Sequence, residues 1–264
     1  MTFALKRKTC LAVASAAAFG FGMAGVAPKA NAALMLSADI GGTLFACADN
    51  NATCDTDPTV GILNLGTTVT INGVVINGSR ESSSGTILRA GPAILNTSSL
   101  AVINTNPFAI TVTVAVGDKN FIGPVEAFAL SASGTFQNAF GARITDKWFD
   151  DPANAQGATS PTSTPGNLLS SFTYTSASFL DSFAFNSGLQ PLVSPDGALF
   201  GMTEQYIFTL PGGGAGCSAA SLAFCPQLIS RGQTELKFSI PEPATMALLG
   251  TGLLGLGLVR RRQA

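Results

Sequence analysis

Between Phe108 and Val116 apolar and small or polar side chains alternate without a break. Phe108, Ile110, Val112, Val114 and Val116 stand against Ala109, Thr111, Thr113 and Ala115. A period of two is the pattern of a strand with one buried face, because successive side chains of an extended chain point to opposite sides. Shorter stretches of the same kind run over Phe179–Phe185, over Tyr206–Leu210 and through Leu236, Phe238 and Ile240. Helical spacing is scarce. Asn72-Gly73 and Asn77-Gly78 lie five residues apart among Val and Ile. Either dipeptide supplies the positive φ of a tight hairpin turn, although both cannot close full-length hairpins at once. Gly61, Gly66, Gly91-Pro92, Asn106-Pro107, Gly123-Pro124 and Pro195-Asp196-Gly197 punctuate the rest. The expected fold class is all-β: a single antiparallel β-sandwich, jelly-roll-like, over residues 33–240, a length that suffices for one core. No fixed-period repeat argues for a β-helix. One long break, Asp150 to Asn167, is rich in Asn, Ser, Thr, Pro and Gly and reads as a solvated surface loop.

Both ends of the chain depart from this pattern. Lys6, Arg7 and Lys8 precede the apolar stretch Thr9–Val26, and Ala30 and Ala32 are the small residues that a signal peptidase reads. Residues 1–32 are therefore expected to be a secretory signal peptide. Cys10, at the start of the apolar stretch, has no lipidation motif before it. At the other end, Pro241-Glu242-Pro243 holds an extended segment, because proline fixes φ and pushes its predecessor out of the helical region. Residues 244–259 carry no charge. As a transmembrane helix they rise roughly 24 Å at 1.5 Å per residue, somewhat short of the ~30 Å hydrocarbon core. Arg260, Arg261 and Arg262 form a cytoplasmic stop. The domain before them is then extracytoplasmic, anchored to the inner membrane as a precursor. Gly250, Gly252 and Gly255 spell a dinucleotide fingerprint, but no strand leads into them; small residues here suit helix packing in a membrane.

The order of Pro241-Glu242-Pro243, Ala-Thr-Met-Ala-Leu-Leu-Gly, a Gly/Leu-rich apolar run and a terminal Arg-Arg-Arg resembles the PEP-CTERM protein-sorting signal of Gram-negative bacteria. The resemblance covers residues 241–264 alone. It implies recognition by an exosortase, a membrane enzyme that cleaves near the motif, with Pro241, Glu242 and Pro243 as the recognised residues. It also implies delivery to the cell surface or extracellular matrix, often alongside exopolysaccharide. The middle of the chain resembles no named family.

Charge looks different once both ends are set aside. Four of the 14 basic residues precede Ala33 and three follow Val259, which leaves seven against fourteen of the 15 acids and a net charge of −7 for residues 33–240. That sign disfavours nucleic acid as a partner. Cys47 with Cys54, and Cys217 with Cys225, form two close pairs in an exported chain. Of three connectivities, two local disulfides are favoured over zinc, since the chain has no histidine and no C-x-x-C spacing.

The absence of histidine also removes Ser-His-Asp and Cys-His machinery. Glu81, Glu126, Glu204 and Glu235 are candidates for carboxylate chemistry by type, and no spacing recommends a pair. Asp49, Asn50, Asn51, Asp55 and Asp57 make one oxygen-rich cluster; Asp146, Asp150 and Asp151 make another, a weak calcium candidate without EF-hand order. Trp148 is the only tryptophan. Beside Phe149 it is either a core anchor or a platform for a sugar. The expected function is that of a non-enzymatic exported protein of the cell surface or matrix, structural and associated with exopolysaccharide, with no cofactor. Its partners are the secretion machinery, signal peptidase, exosortase and the membrane. The alternative is a carbohydrate-binding module, with Trp148 and the 150–167 segment near its site, and a carboxylate enzyme is the third reading.

Overall fold

The computed structural model describes residues 34–84, 93–123, 125–192 and 199–238. The expected signal peptide, the sorting tail with its helix over 244–259, and the turns at Gly91-Pro92 and Pro195–Gly197 lie outside the described residues. Among the described residues no helix is long and apolar enough to cross a membrane.

Thirteen strands follow one another: β1 (Met35–Ile40), β2 (Thr43–Ala48), β3 (Ile62–Asn64), β4 (Val69–Ile71), β5 (Val74–Ser83), β6 (Ala93–Asn104), β7 (Ile110–Ile122), β8 (Val125–Gln137), β9 (Arg143–Asp151), β10 (Asn167–Thr175), β11 (Leu180–Pro191), β12 (Leu199–Leu210) and β13 (Gln227–Phe238). They form two antiparallel sheets, in the orders β10-β9-β12-β7-β1-β2 and β11-β8-β13-β6-β5-β3, with β4 paired to β5. From β6 onward the chain crosses from sheet to sheet at nearly every step, so that β7, β9, β10 and β12 face β6, β8, β11 and β13. This is the pairing order of a double-sheet jelly roll. The strands β1–β5 widen both sheets at one side.

Alternation explains which side chains meet inside. Val112, Val114 and Val116 of β7 are fully buried, while Phe108 stands before the strand and is exposed. On β12 the inward residues are Met202, Glu204, Tyr206, Phe208 and Leu210; on β13 they are Leu228, Ser230, Gly232, Thr234 and Leu236. One apolar cluster takes Val114, Tyr206, Phe208 and Trp148 from the first sheet and Leu95, Val102, Phe136 and Leu228 from the second. Each large side chain so buried stabilises the fold by about 1.5–3 kcal/mol relative to exposure. Cα atoms of β12 come within 8 Å of β6 and β13, closer than the ~10 Å usual between packed sheets. Gly232 permits this: a Cβ there would stand 2.1 Å from the Tyr206 hydroxyl.

The two Asn-Gly dipeptides serve different ends. Asn72 and Gly73, at φ 48° and 71°, turn the chain between β4 and β5, with Ile71 opposite Val74. Gly78, at φ 63°, lies inside β5 where the register against β6 shifts between Asn77 and Arg80, a β-bulge.

The segment after β9 is more than a solvated loop. A single 3-10 turn at Gly157–Thr159 packs on the outer face of the first sheet, with Gly157 and Ala158 buried. Gln205 Nε2 donates to the Pro161 carbonyl at 2.5 Å and to Thr164 Oγ1 at 3.2 Å. The second sheet is covered at one end by the loop closed by Cys217–Cys225, where Cys217, Cys225 and Leu222 pack on Val75 and Ile103. Cys47 pairs with Cys54, so both disulfides are local.

Candidate functional site

Three acids gather inside the sandwich, while a fourth fully buried acid, Asp118 on β7, accepts the Lys119 N–H at 2.7 Å. Glu81 on β5 sits opposite Thr97 of β6, Glu204 on β12 opposite Trp148 of β9, and Asp146 on β9 opposite Tyr206 of β12. All three are at most 1% exposed. Tyr206 donates its hydroxyl to Glu204 Oε2 at 2.7 Å, Thr97 Oγ1 donates to the same oxygen at 3.3 Å, and Thr234 Oγ1 donates to Oε1 at 2.8 Å. Ser79 donates to Glu81 Oε1. Neither oxygen of Asp146 has a hydrogen-bond partner among the described residues, and the same holds for Glu81 Oε2.

Burial dominates the protonation of this group. It pushes Glu81 up to about 8, against the hydrogen bond from Ser79 and the nearby Thr97 hydroxyl, which favour the ionised form. It pushes Glu204 up to about 7, opposed by Tyr206, Thr234 and Thr97. The Trp148 indole N–H makes no well-formed hydrogen bond, yet it lies close enough to Glu204 to favour its charge. Asp146 is raised well above the carboxylate range by burial and then by the charge of Glu204. Burial and the same acids raise the Tyr206 hydroxyl. Among the described residues no cation pairs with the three, and the one ion pair is Arg80–Asp57 at 3.7 Å on the surface.

Raised carboxylates close to one another resemble an acid–base pair. A substrate cannot reach them here. Three surface grooves among the described residues are lined by other side chains, and the three acids are at most 1% exposed. Of the four glutamates considered from the sequence, the fold brings together Glu81 and Glu204, leaves Glu126 exposed and turns Glu235 to the outside of the second sheet.

The remaining sequence candidates separate. Trp148 is 1% exposed and stacks on Phe185 with ring centroids 5.5 Å apart, so it is a core anchor and has no face for a sugar. That corrects the platform reading: position 148 falls on the core-facing phase of β9. Asp146 and Asp150 stand four residues apart on β9, about 13 Å at 3.3 Å per residue, with Trp148 between them. Asp151 accepts the backbone N–H groups of Ala153 and Ala155, each at 2.9 Å. In the other cluster Asp49 accepts from Gly61 N–H, and Asp55 from the N–H groups of Asn50, Asp57 and Asn64. These carboxylates pin the loop around Cys47–Cys54. Among the described residues no three of His, Cys, Asp or Glu gather as a metal site.

A second surface was missed by sequence reasoning: the open part of the second sheet's outer face. Here cross-strand rows run Asn186–Ser131–Gln233–Asn96 and Ala184–Ser133–Arg231, the latter beside Ser98. They line a depression of about 570 Å³, continuous through Ser133 and Arg231 with a second of about 410 Å³ that Thr135, Ser182 and Ile229 border. Period-two reading marks these side chains as outward but not as neighbours, because neighbours on a sheet come from distant strands.

Comparison with known proteins bears mainly on the tail. Residues 239–262 match the family model of the PEP-CTERM protein-sorting motif. No curated protein matches the chain. Among solved structures, TmCBM61 in complex with β-1,4-galactotriose is 8% identical over 60% of this chain and 88% of that one, with a TM-score of 0.30. A xylan-binding domain from CBM 22 is 11% identical over 65% and 92%, at 0.28. A family 11 carbohydrate-binding module from Clostridium thermocellum, in complex with a mixed-linked tetrasaccharide, is 8% identical over 76% and 96%, at 0.23. Scores this low carry no argument about function.

Proposed function

We propose that the chain is a non-enzymatic exported protein, secreted through a signal peptide, held in the inner membrane by its tail, and processed by an exosortase for the cell surface or extracellular matrix. The observation that carries this reading is the sorting motif at residues 239–262, with Pro241, Glu242 and Pro243 followed by an apolar run and Arg260–Arg262. Two local disulfides support it, since such bridges persist outside the reducing cytosol. The sealed position of Glu81, Asp146 and Glu204 supports a structural rather than a catalytic role for these acids. In this reading the sandwich is a matrix component in contact with exopolysaccharide. The carbohydrate-binding alternative draws support from the polar depression on the second sheet, not from Trp148.

Replacing Pro241, Glu242 and Pro243 together by alanine tests the sorting step. The variant should accumulate in the inner membrane at full precursor length while the parent leaves it. Equal release of both proteins would remove the exosortase from the account.

A further inference from the structure

Arg231 is the one cation among the residues that line the depression on the second sheet's open face. Arg231 stands on β13 opposite Ser133 of β8, and against β6 the register shifts between Ser230 and Gly232, so that Ser98 and Ser99 of β6 together face it. Arg231 is exposed, and among the described residues its side chain makes no ion pair. Around it stand hydroxyls and amides: Ser131, Ser133, Gln233, Asn96 and Asn186. Four strands at about 4.8 Å spacing make the depression about 14 Å across, wide enough for an extended chain to lie over it.

We propose, resting on the reading that this protein works outside the cytoplasm, that this face binds a polysaccharide whose sugars carry carboxylates, with Arg231 holding the carboxylate. A planar guanidinium pairs with a carboxylate through two parallel N–H donors, and no other side chain does this as well. Ser and Asn or Gln side chains both donate and accept, as sugar hydroxyls require. A neutral sugar held by stacking would need a free aromatic face. The rings at the wall instead turn inward, where Phe185 stacks on Phe172 and Phe183 packs against it at a tilt. A protein partner would meet an apolar or aromatic centre, whereas of the large apolar side chains in the depression only Ile229 is exposed. A nucleic acid would need several cations to replace its counterions. The net charge of −7 overstates repulsion of an acidic glycan, because Glu81, Asp146 and Glu204 are buried and held toward their neutral forms.

Affinity electrophoresis of the protein recovered from its own cells tests this, in gels containing polygalacturonate, alginate or dextran. Retardation is expected with at least one of the two uronate polymers and not with dextran. Arg231→Gln should weaken it about tenfold or more, and Ser133→Tyr should abolish it by filling the depression. Arg143→Gln, an exposed arginine on the outer face of the first sheet, should leave it unchanged. Thermal midpoints of the variants confirm that each is folded. The proposal is overturned if neither uronate polymer retards the protein, if dextran does so equally, or if Arg231→Gln migrates as the parent does. Such a failure with a tail that has been cleaved would remove the groove alone. A chain that still carries residues 1–32 would remove the export reading instead.

Discussion

Glu81, Asp146 and Glu204 share the interior with Tyr206, Thr97 and Thr234 and, among the described residues, with no ion-pair partner. Their protonation sets a pH dependence whose sign follows from the direction of the shifts. An unfolded chain releases the glutamate protons near the ordinary value of 4.5, whereas the folded chain holds that of Glu204 to about 7 and that of Glu81 to about 8. Between those limits the folded state binds more protons. Stability therefore falls as pH rises through the window and levels off above it. The thermal midpoint should be several degrees lower at pH 8.5 than at pH 5, since about 1 kcal/mol shifts it by ~2–4 °C in a domain of this size. Glu204→Gln should flatten the slope; a midpoint that rises with pH over this range would contradict it. Asp57 and Asp181 are held low by hydrogen bonds, chiefly from Thr59 and from Ala177, and act below the window. Two of the buried acids were legible in the sequence. Asp146 sits in phase with Ile144 and Trp148, and Glu204 with Met202, Tyr206 and Phe208, so alternation alone turns them inward. Glu81 was not, because the bulge at Gly78 shifts the inward phase of β5 from Val74 and Ile76 to Ser79 and Glu81.

At the scale of elements, alternation located β7, β11, β12 and β13, and the close cysteine spacing located both disulfides. Order within the sheets was beyond it, since β12 lies between β7 and β9 through pairings that no local pattern encodes. Nor could the dipeptides themselves say which Asn-Gly turns and which bulges. The structure distinguishes them by what surrounds each glycine. A Cβ at Gly73 would stand 2.3 Å from Asn106 Oδ1, whereas Gly78 has open space around it. Both need positive φ, which costs a residue with a side chain roughly 1–2 kcal/mol. Gly78→Ala should lose about that much stability in urea unfolding, and Gly73→Ala should lose more, because Asn106 must also move. Equal losses would show that the Asn106 contact is easily relieved. The 150–167 segment gave a different lesson. Its composition is that of a solvated loop, yet small Gly157 and Ala158 let it lie against β7 and β12.

For the molecule as a whole, the two faces of the sandwich diverge. The first sheet carries the 3-10 turn on its outer side, while the second keeps an open polar depression beyond its disulfide loop. A core sealed around three acids and an outer face lined with hydroxyls and amides suit a protein that holds its shape outside the cell and makes contact through its surface. In the proposed function the tail determines where that surface is displayed. Whether the chain is sorted and processed as proposed is read from the intact mass of the mature form recovered from its native cells after separation of membrane and surface material. The account predicts a mass that begins at Ala33 and ends close to Pro243, with any excess marking an attached group. A mass that still includes Arg260–Arg262 would make the tail a permanent anchor and contradict the claim.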